Sequence, residues 1–176
     1  MKHHWINYKS VIATVCLLAI LVYSASAADK NGKCTKKYPC CDTITIALHH
    51  SETILISAKQ FFSYMSVSVK KGEVYSFRVV GQHNYKDWTV ATTADGWDNK
   101  MLKWKIARNG KRLKTARCYE LSAIIGADTN SMFAIGKQLD RYSATSDGNL
   151  RFFINDHKRF YWNNKGFLLL KITRVQ

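Results

Sequence analysis

The chain has 176 residues, with 27 lysines and arginines against 12 acidic residues and a formal charge of +15. This length suits a leader followed by one domain, and no segment after residue 27 is apolar enough, for the roughly 20 residues required, to cross a bilayer. The charge favours anionic partners such as acidic glycans, membrane headgroups or nucleic acid, with solubility alone as the alternative.

Residues 1–27 have the three parts of a secretory signal peptide. Lys2 and Lys9 are cationic, the 12 residues from Val11 to Val22 are apolar, and Ala25-Ser26-Ala27 offers a cleavage site. An uncleaved signal anchor is the alternative. We therefore expect a secreted or periplasmic protein that keeps 149 of the 176 residues. Without Lys2 and Lys9, 25 of the 27 basic residues remain against 12 acidic ones, which gives a charge of +13.

Residues 28–42 carry the only proline and no hydrophobic periodicity, so we expect a cysteine-containing leader without regular structure. The leader has three cysteines and the domain has one, so the mature chain has an even number, which favours two disulfides in an oxidising compartment. Adjacent cysteines bridge each other only through a strained ring, so one leader cysteine is expected to pair with the domain. Zinc is the competing interpretation, but the spacing lacks two C-x2-C knuckles. The disulfide candidates are Cys34, Cys40, Cys41 and Cys118.

Residues 43–176 consist of short segments rich in β-branched and aromatic residues, which predict an all-β domain. Segments 72–81, 101–107 and 149–154 alternate apolar and polar residues, as half-buried strands do. Turns are predicted at Asn109-Gly110 and Asp147-Gly148. We expect about nine strands in two antiparallel sheets that pack face to face as a β-sandwich. The predicted inward faces hold Tyr75, Phe77, Val79, Leu102, Trp104, Ile106, Leu150, Phe152 and Ile154.

The segment 147–172 is predicted to be a strand, a polar turn and a second strand. Asn155-Asp156 and Asn163-Asn164 bracket a six-residue excursion between the strands. Carboxylate, amide and backbone carbonyl oxygens from one loop are the hard ligands that calcium takes at about 2.3 to 2.6 Å. The alternative is a polar hairpin whose Asn and Asp side chains cap their own backbone.

The order G-x-L-x-F-x-I-N-D, followed by N-N-x-G-x-x-x-x-x-I, resembles the bacterial calcium-dependent lectins typified by the galactose-binding lectin of Pseudomonas. Three further blocks are similar to that family, at residues 71–85, 118–126 and 133–136. The resemblance covers about residues 57–172 and implies a lectin-like β-sandwich. The family's local disulfide lacks its partner here, because that position is Leu113, which supports a bridge from Cys118 to the leader.

The resemblance also implies a function and a site. A calcium ion would be held by loop oxygens, and the vicinal hydroxyls of a galactose-containing or acidic glycan would complete its shell. The implied side-chain ligands are Asp156, Asn163 and Asn164, and the implied backbone carbonyl ligands are Tyr85 and Phe160. All of these except Phe160 would also contact the sugar. Trp162 or Tyr161 could stack on the sugar or belong to the core.

The basic segment, residues 103–117, has seven positive charges and no acidic residue. It could hold an acidic glycan or an anionic membrane surface by charge, whereas nucleic acid is not expected because no base-reading module accompanies it. A solvated strand face is the alternative. The candidate anion-binding residues are Lys103, Lys105, Arg108, Lys111, Arg112, Lys114 and Arg117.

Catalysis is not expected, because the chain has no H-E-x-x-H, no G-x-S-x-G and no glycine-rich phosphate loop. The leading hypothesis is therefore a carbohydrate-binding protein that uses calcium, as a monomer or a homo-oligomer. The rival hypothesis is a degenerate β-sandwich interaction protein, which would bind an anionic polymer, a membrane surface or a partner protein through its basic face.

Overall fold

A computed structural model of the protein describes residues 27–28, 34–39, 42–97 and 110–176. The chain divides into two compact units, Met1–Cys40 and Cys41–Gln176. In the first unit, β1 (Ala27–Ala28) pairs antiparallel with β2 (Cys34–Pro39). The leader was expected to lack regular structure, and β2 shows that this expectation was wrong. Thr and Tyr residues favour strands, and the proline stands at the strand end, where its missing N–H is tolerated.

The described part of the second unit contains eleven strands, against about nine predicted. A short 3-10 helix spans Thr129–Ser131. No helix among the described residues is long and apolar enough to cross a membrane. The strands are β3 (Asp42–Ile44), β4 (Ser51–Ser57), β5 (Met65–Val69), β6 (Val74–Asp87), β7 (Val90–Ala91), β8 (Asp95–Trp97), β9 (Cys118–Ile125), β10 (Phe133–Ala134), β11 (Gln138–Ser143), β12 (Gly148–Ile154) and β13 (Asn164–Arg174).

These strands form two sheets. The first sheet has the order β10-β9-β12-β5-β3, with β8 paired to β9, and the second has the order β11-β6-β13-β4, with β7 paired to β6. The pair β3–β5 is parallel, and the other described pairs of these sheets are antiparallel. The prediction of an all-β sandwich is confirmed.

The hydrophobic core lies between the sheets. Of the described residues that alternation placed inward, Val79 packs against the core and the others belong to it, namely Tyr75, Phe77, Leu150, Phe152 and Ile154. Phe77 of β6 meets Phe152 of β12 edge to face, with 6.0 Å between ring centroids, so the two sheets pack directly on each other. Phe153 is buried as well, on the opposite face of β12. Strand β12 is therefore covered on both faces. The predicted strand at 101–107 and Asn109 lie outside the described residues.

The polar turn after β12 does not close a hairpin. Strand β12 pairs with β5 and β9 of the first sheet, whereas β13 pairs with β4 and β6 of the second sheet. Both strands are central in their own sheets, so neither has a free edge for the other. Residues 155–163, here called the crossover turn, thus pass from one sheet to the other at one end of the sandwich. The hairpin of the alternative interpretation is therefore wrong, whereas its backbone capping is found at Asp156, whose Oδ1 accepts from the N–H of His157.

Candidate functional site

The crossover turn is closed by its own backbone. The N–H of Phe160 donates to the carbonyl of His157 at 2.9 Å, and the N–H of Asn163 donates to the carbonyl of Phe160 at 3.1 Å. The N–H of Asp156 donates to the carbonyl of Ile154 at 2.8 Å. These bonds fix the two ends of the turn, where it leaves the first sheet and where it enters the second. The same two ends carry the polar pairs that the sequence analysis singled out.

Asn155 anchors part of the basic segment. Its Oδ1 accepts from the N–H of Leu113 at 2.8 Å, and its Nδ2 donates to the carbonyls of Leu113 and Arg117, both at 2.9 Å. Since the side-chain amide is buried and bonded on both of its ends, its role is to hold this stretch of chain against the first sheet.

Asp156 and Asn164 join the two sheets directly. Nδ2 of Asn164, which is completely buried, donates to Oδ2 of Asp156 at 3.0 Å and to the carbonyl of Ala58 at 3.2 Å. Oδ1 of Asp156 accepts from the N–H of His157 at 2.6 Å. Burial raises the pKa of Asp156, and these two hydrogen bonds oppose the rise. A nearly buried carboxyl group therefore lies between the sheets.

The asparagines at the end of the crossover turn and the start of β13 each have a side-chain oxygen without a partner. Oδ1 of Asn163 and Oδ1 of Asn164 are buried, and within the described part of the chain neither accepts a hydrogen bond. Buried polar atoms are nearly always paired, because leaving one unpaired costs about 1 to 3 kcal/mol. Two such exceptions on consecutive residues leave two buried oxygens able to accept from a hydrogen-bond donor or to coordinate a cation.

Asp87 is a member of this site that the sequence analysis missed. It ends β6 and lies opposite Asn164 in the β6–β13 ladder. Burial and then the negative charge of Asp156 raise the pKa of Asp87 to about 6. Neither carboxylate of this site takes part in the ion pairs Lys137–Asp95 and Arg174–Glu73 of the described residues. We call Asp87, Asp156, Asn163 and Asn164 the oxygen cluster.

The two implied carbonyl ligands, of Tyr85 and Phe160, each accept one backbone hydrogen bond. The carbonyl of Tyr85 accepts from the N–H of Thr92 at 3.2 Å, and that of Phe160 accepts from Asn163, so each keeps one lone pair. The phenol of Tyr85 is buried and donates to the carbonyl of Tyr119 at 2.9 Å. Its pKa is raised by burial first and then by neighbouring groups that include both carboxylates of the cluster. Tyr85 thus packs beneath the cluster.

Two exposed tryptophans adjoin the oxygen cluster in sequence. Trp88 follows Asp87 directly and is 60% exposed, and Trp162 precedes Asn163 and is 77% exposed. Trp88 occupies the two-residue connection between β6 and β7 with a φ of 51°. A bulky residue in this left-handed region costs about 1 to 2 kcal/mol. The hairpin therefore holds an exposed aromatic ring at a conformational cost.

The basic segment is less exposed than its charge suggested. Lys111 is buried, and its ammonium donates to the carbonyl of Ala116. The Arg112 guanidinium is enclosed by aromatic rings and also donates to the hydroxyl of Tyr161 at 3.2 Å. Neither charge is available to an external anion, which corrects the predicted patch at these two positions. The rings within about 4 Å of the Arg112 guanidinium carbon are Phe153 at 3.8 Å, Phe61 at 4.0 Å and Phe62 at 4.2 Å.

Lys114 and Arg117 are exposed, as an anion-binding role requires. Lys103, Lys105 and Arg108 lie outside the described residues. An anion-binding surface in this segment thus stays a prediction for five of the seven positions.

The cysteine pairing stays a prediction. Cys118 is a free, buried cysteine in the structure, and burial raises the pKa of its thiol. Cys34 begins β2, and Cys40 and Cys41 lie outside the described residues. The described residues contain no group of three His, Cys, Asp or Glu side chains that could hold a metal ion. The oxygen cluster is of another kind, since half of its members are amides.

Comparison with known proteins finds similarity among solved structures. No family model and no curated protein matches the chain. Among solved structures, the chain is similar to one described as "EclA N-terminal domain; PllA-like lectin", at 24% sequence identity. The alignment covers 69% of this chain and 94% of that one, with a TM-score of 0.46. A similarity of this size does not show family membership.

Proposed function

We propose that this protein binds carbohydrate through a calcium ion held by the oxygen cluster. The observation that carries the proposal is a nearly buried carboxyl group, that of Asp156, bonded to Asn164 and electrostatically coupled to Asp87. The amide oxygens of Asn164 and of its chain neighbour Asn163 are buried without a partner. Without a cation, burial of these groups is unfavourable, because both carboxylates are partly desolvated and repel each other.

The donor set fits calcium. Calcium takes six to eight oxygen ligands in loose geometry, and its affinity rises with the number of charged ligands. Asp156 and Asp87 would contribute two negative charges, and the side chains of Asn163 and Asn164 would contribute neutral oxygens. The carbonyls of Tyr85 and Phe160, which the resemblance implies as ligands, would complete the protein's share. A softer metal such as zinc would prefer nitrogen or sulfur ligands.

A bound calcium ion would supply open coordination positions for the hydroxyls of a sugar. The sequence resemblance to calcium-dependent lectins supports a carbohydrate as the ligand and, within that class, a galactose-containing or acidic glycan. The chain's own residues would hold and orient the site: Asn164 fixes Asp156, and the turn backbone fixes Asn163. This is a binding role, and no catalytic step is proposed.

We place this activity outside the cytosol, on the evidence of residues 1–27. Export would deliver the protein to millimolar calcium and to oxidising conditions in which the four candidate cysteines could pair. It would also give the protein access to surface glycans.

The test is calcium titration by calorimetry, followed by a printed glycan array with and without EDTA. The wild-type protein should bind calcium, and its glycan signal should vanish in EDTA. Asp156→Asn should weaken calcium binding at least tenfold, because it removes one of two charged ligands. Asp140→Asn makes the same charge change on exposed β11, which pairs with the opposite end of β6, and should leave calcium binding unchanged.

Two results would contradict the proposal. Absence of calcium binding at millimolar concentration removes the mechanism. Glycan or polyanion binding that ignores EDTA but falls steeply with added salt supports the rival interaction protein instead, since charge-driven binding to a polyanion is strongly salt-dependent.

A further inference from the structure

We infer that Trp88 and Trp162 are sugar-stacking residues on either flank of the oxygen cluster. This inference rests on the proposed function and extends it from the hydroxyl edge of the carbohydrate to its ring faces. A pyranose has polar hydroxyls around its edge and C–H groups on its faces, and the electron-rich face of an indole attracts such C–H groups. A site that held only the hydroxyls would leave the apolar faces in water.

The placement of the tryptophans is the first argument. The described residues include three tryptophans, of which Trp97 is partly buried and packs against the core. The two exposed ones are Trp88 and Trp162, and each is the direct chain neighbour of a member of the oxygen cluster. Single exposed apolar residues are ordinary, but two of the largest side chains beside one buried polar cluster are not.

The backbone of Trp88 is the second argument, and it is independent of exposure. Two-residue hairpin connections favour Gly, Asn or Asp where φ is positive. Trp88 instead adopts a φ of 51° with most of its ring in water, so neither local conformation nor burial accounts for a tryptophan there. Strain of this kind is found at binding sites, where the residue is kept for its contacts with a ligand.

The third argument is how the two residues are held. Trp88 is in the β6–β7 hairpin, whose register is fixed by the pairs Lys86–Ala91 and Asp87–Val90. Trp162 is in the crossover turn, between two hydrogen-bonded ends of that turn. Because the two rings come from separate segments, each can contact a different part of a bound glycan. The chemical class predicted is an oligosaccharide with accessible pyranose faces.

The experiment uses Trp88→Asn and Trp162→Ala, with Val80→Ala as the control. Val80 is 51% exposed on β6, distant in the strand from Asp87, so its truncation removes exposed apolar surface away from the cluster. Calcium binding is measured by calorimetry with calcium alone, and glycan binding by half-saturating protein concentration on a printed array. Both tryptophan variants should keep calcium affinity within about twofold and bind array glycans about tenfold more weakly, whereas the control matches the wild type.

Thermal stability gives a second readout. Trp88→Asn should raise Tm by about 2 to 4 °C, because Asn tolerates positive φ better than Trp. A structural role for Trp88 predicts a lower Tm instead, and that result would overturn the inference for this residue.

The remaining outcomes separate the inference from the proposed function. If both variants bind calcium and glycans like the wild type, stacking is refuted while calcium-dependent binding stands. If the variants lose glycan binding that EDTA does not affect, stacking stands and the calcium mechanism falls. If the wild type binds calcium but no printed glycan, both are refuted.

Discussion

Replacement of Asp87 by Asn should change stability in opposite directions with and without calcium. Asp87 lies opposite Asn164 across the ladder, and burial together with the charge of Asp156 raises its pKa to about 6 from an ordinary value near 4. In the calcium-free protein its ionised form is therefore destabilising. In the calcium-bound protein the same charge would be a ligand.

The magnitude follows from the pKa. A rise of about two units corresponds to about 3 kcal/mol at 1.36 kcal/mol per unit, and the partial exposure of Asp87 reduces this to about 1 to 2 kcal/mol. The folded state retains the Asp87 proton at a higher pH than the unfolded chain does. Below about pH 4 both states are protonated and the penalty is absent; it grows between about pH 4 and 6 and is complete above that range.

The assay is urea unfolding in EDTA between pH 4 and 8. Asp87→Asn should be about 1 to 2 kcal/mol more stable than the wild type at pH 7 and equal to it at pH 4. In millimolar calcium the wild type should be the more stable protein, because the variant binds the ion more weakly and gains less stability from it. A variant that is less stable than the wild type in EDTA at pH 7, or that gains as much from calcium, would refute the argument that Asp87 and Asp156 share one site.

Two further substitutions test the scaffold around the site. Asn155→Ala should cost about 2 to 3 kcal/mol in urea unfolding, because it leaves buried backbone groups of the basic segment unpaired, whereas exposed Asn149→Ala should cost under about 0.5 kcal/mol. Gly166→Ala should cost about 3 kcal/mol or more, since a Cβ there would overlap the carbonyl oxygen of His83 at a φ of 82°. Gly72→Ala, with a φ of 88° and open space around it, isolates the cost of φ alone, and a loss as large as that of Gly166→Ala would contradict the steric argument.

The parts of the fold that local pattern determines could be predicted. Alternation along the chain placed Phe77 and Phe152 inward, because side chains of a strand change face at every residue whatever their partner. The crossover between sheets could not be predicted in this way. It depends on which strands pair with the two edges of β12 and of β13, and those partner strands are formed by residues far away in the chain.

The same limit explains Asp87 and Arg112, two of the residues that the sequence analysis misjudged. Asp87 becomes part of the site only through its register with Asn164, which no local pattern encodes. Arg112 was expected at the surface because charged residues usually are. Its guanidinium is instead covered by rings from residues 61, 62 and 153, which come close to it only in the tertiary structure.

The crossover turn determines how a bound cation would affect the opening of the fold. Asp156 is attached to the end of the first sheet, and Asn164 and Asp87 belong to the second, so a cation bound among them would clamp the two layers together. At low calcium concentration the layers would be held by their core while two carboxylates repel at one end. Once calcium bound there, the chain would open less readily and become more resistant to proteolysis.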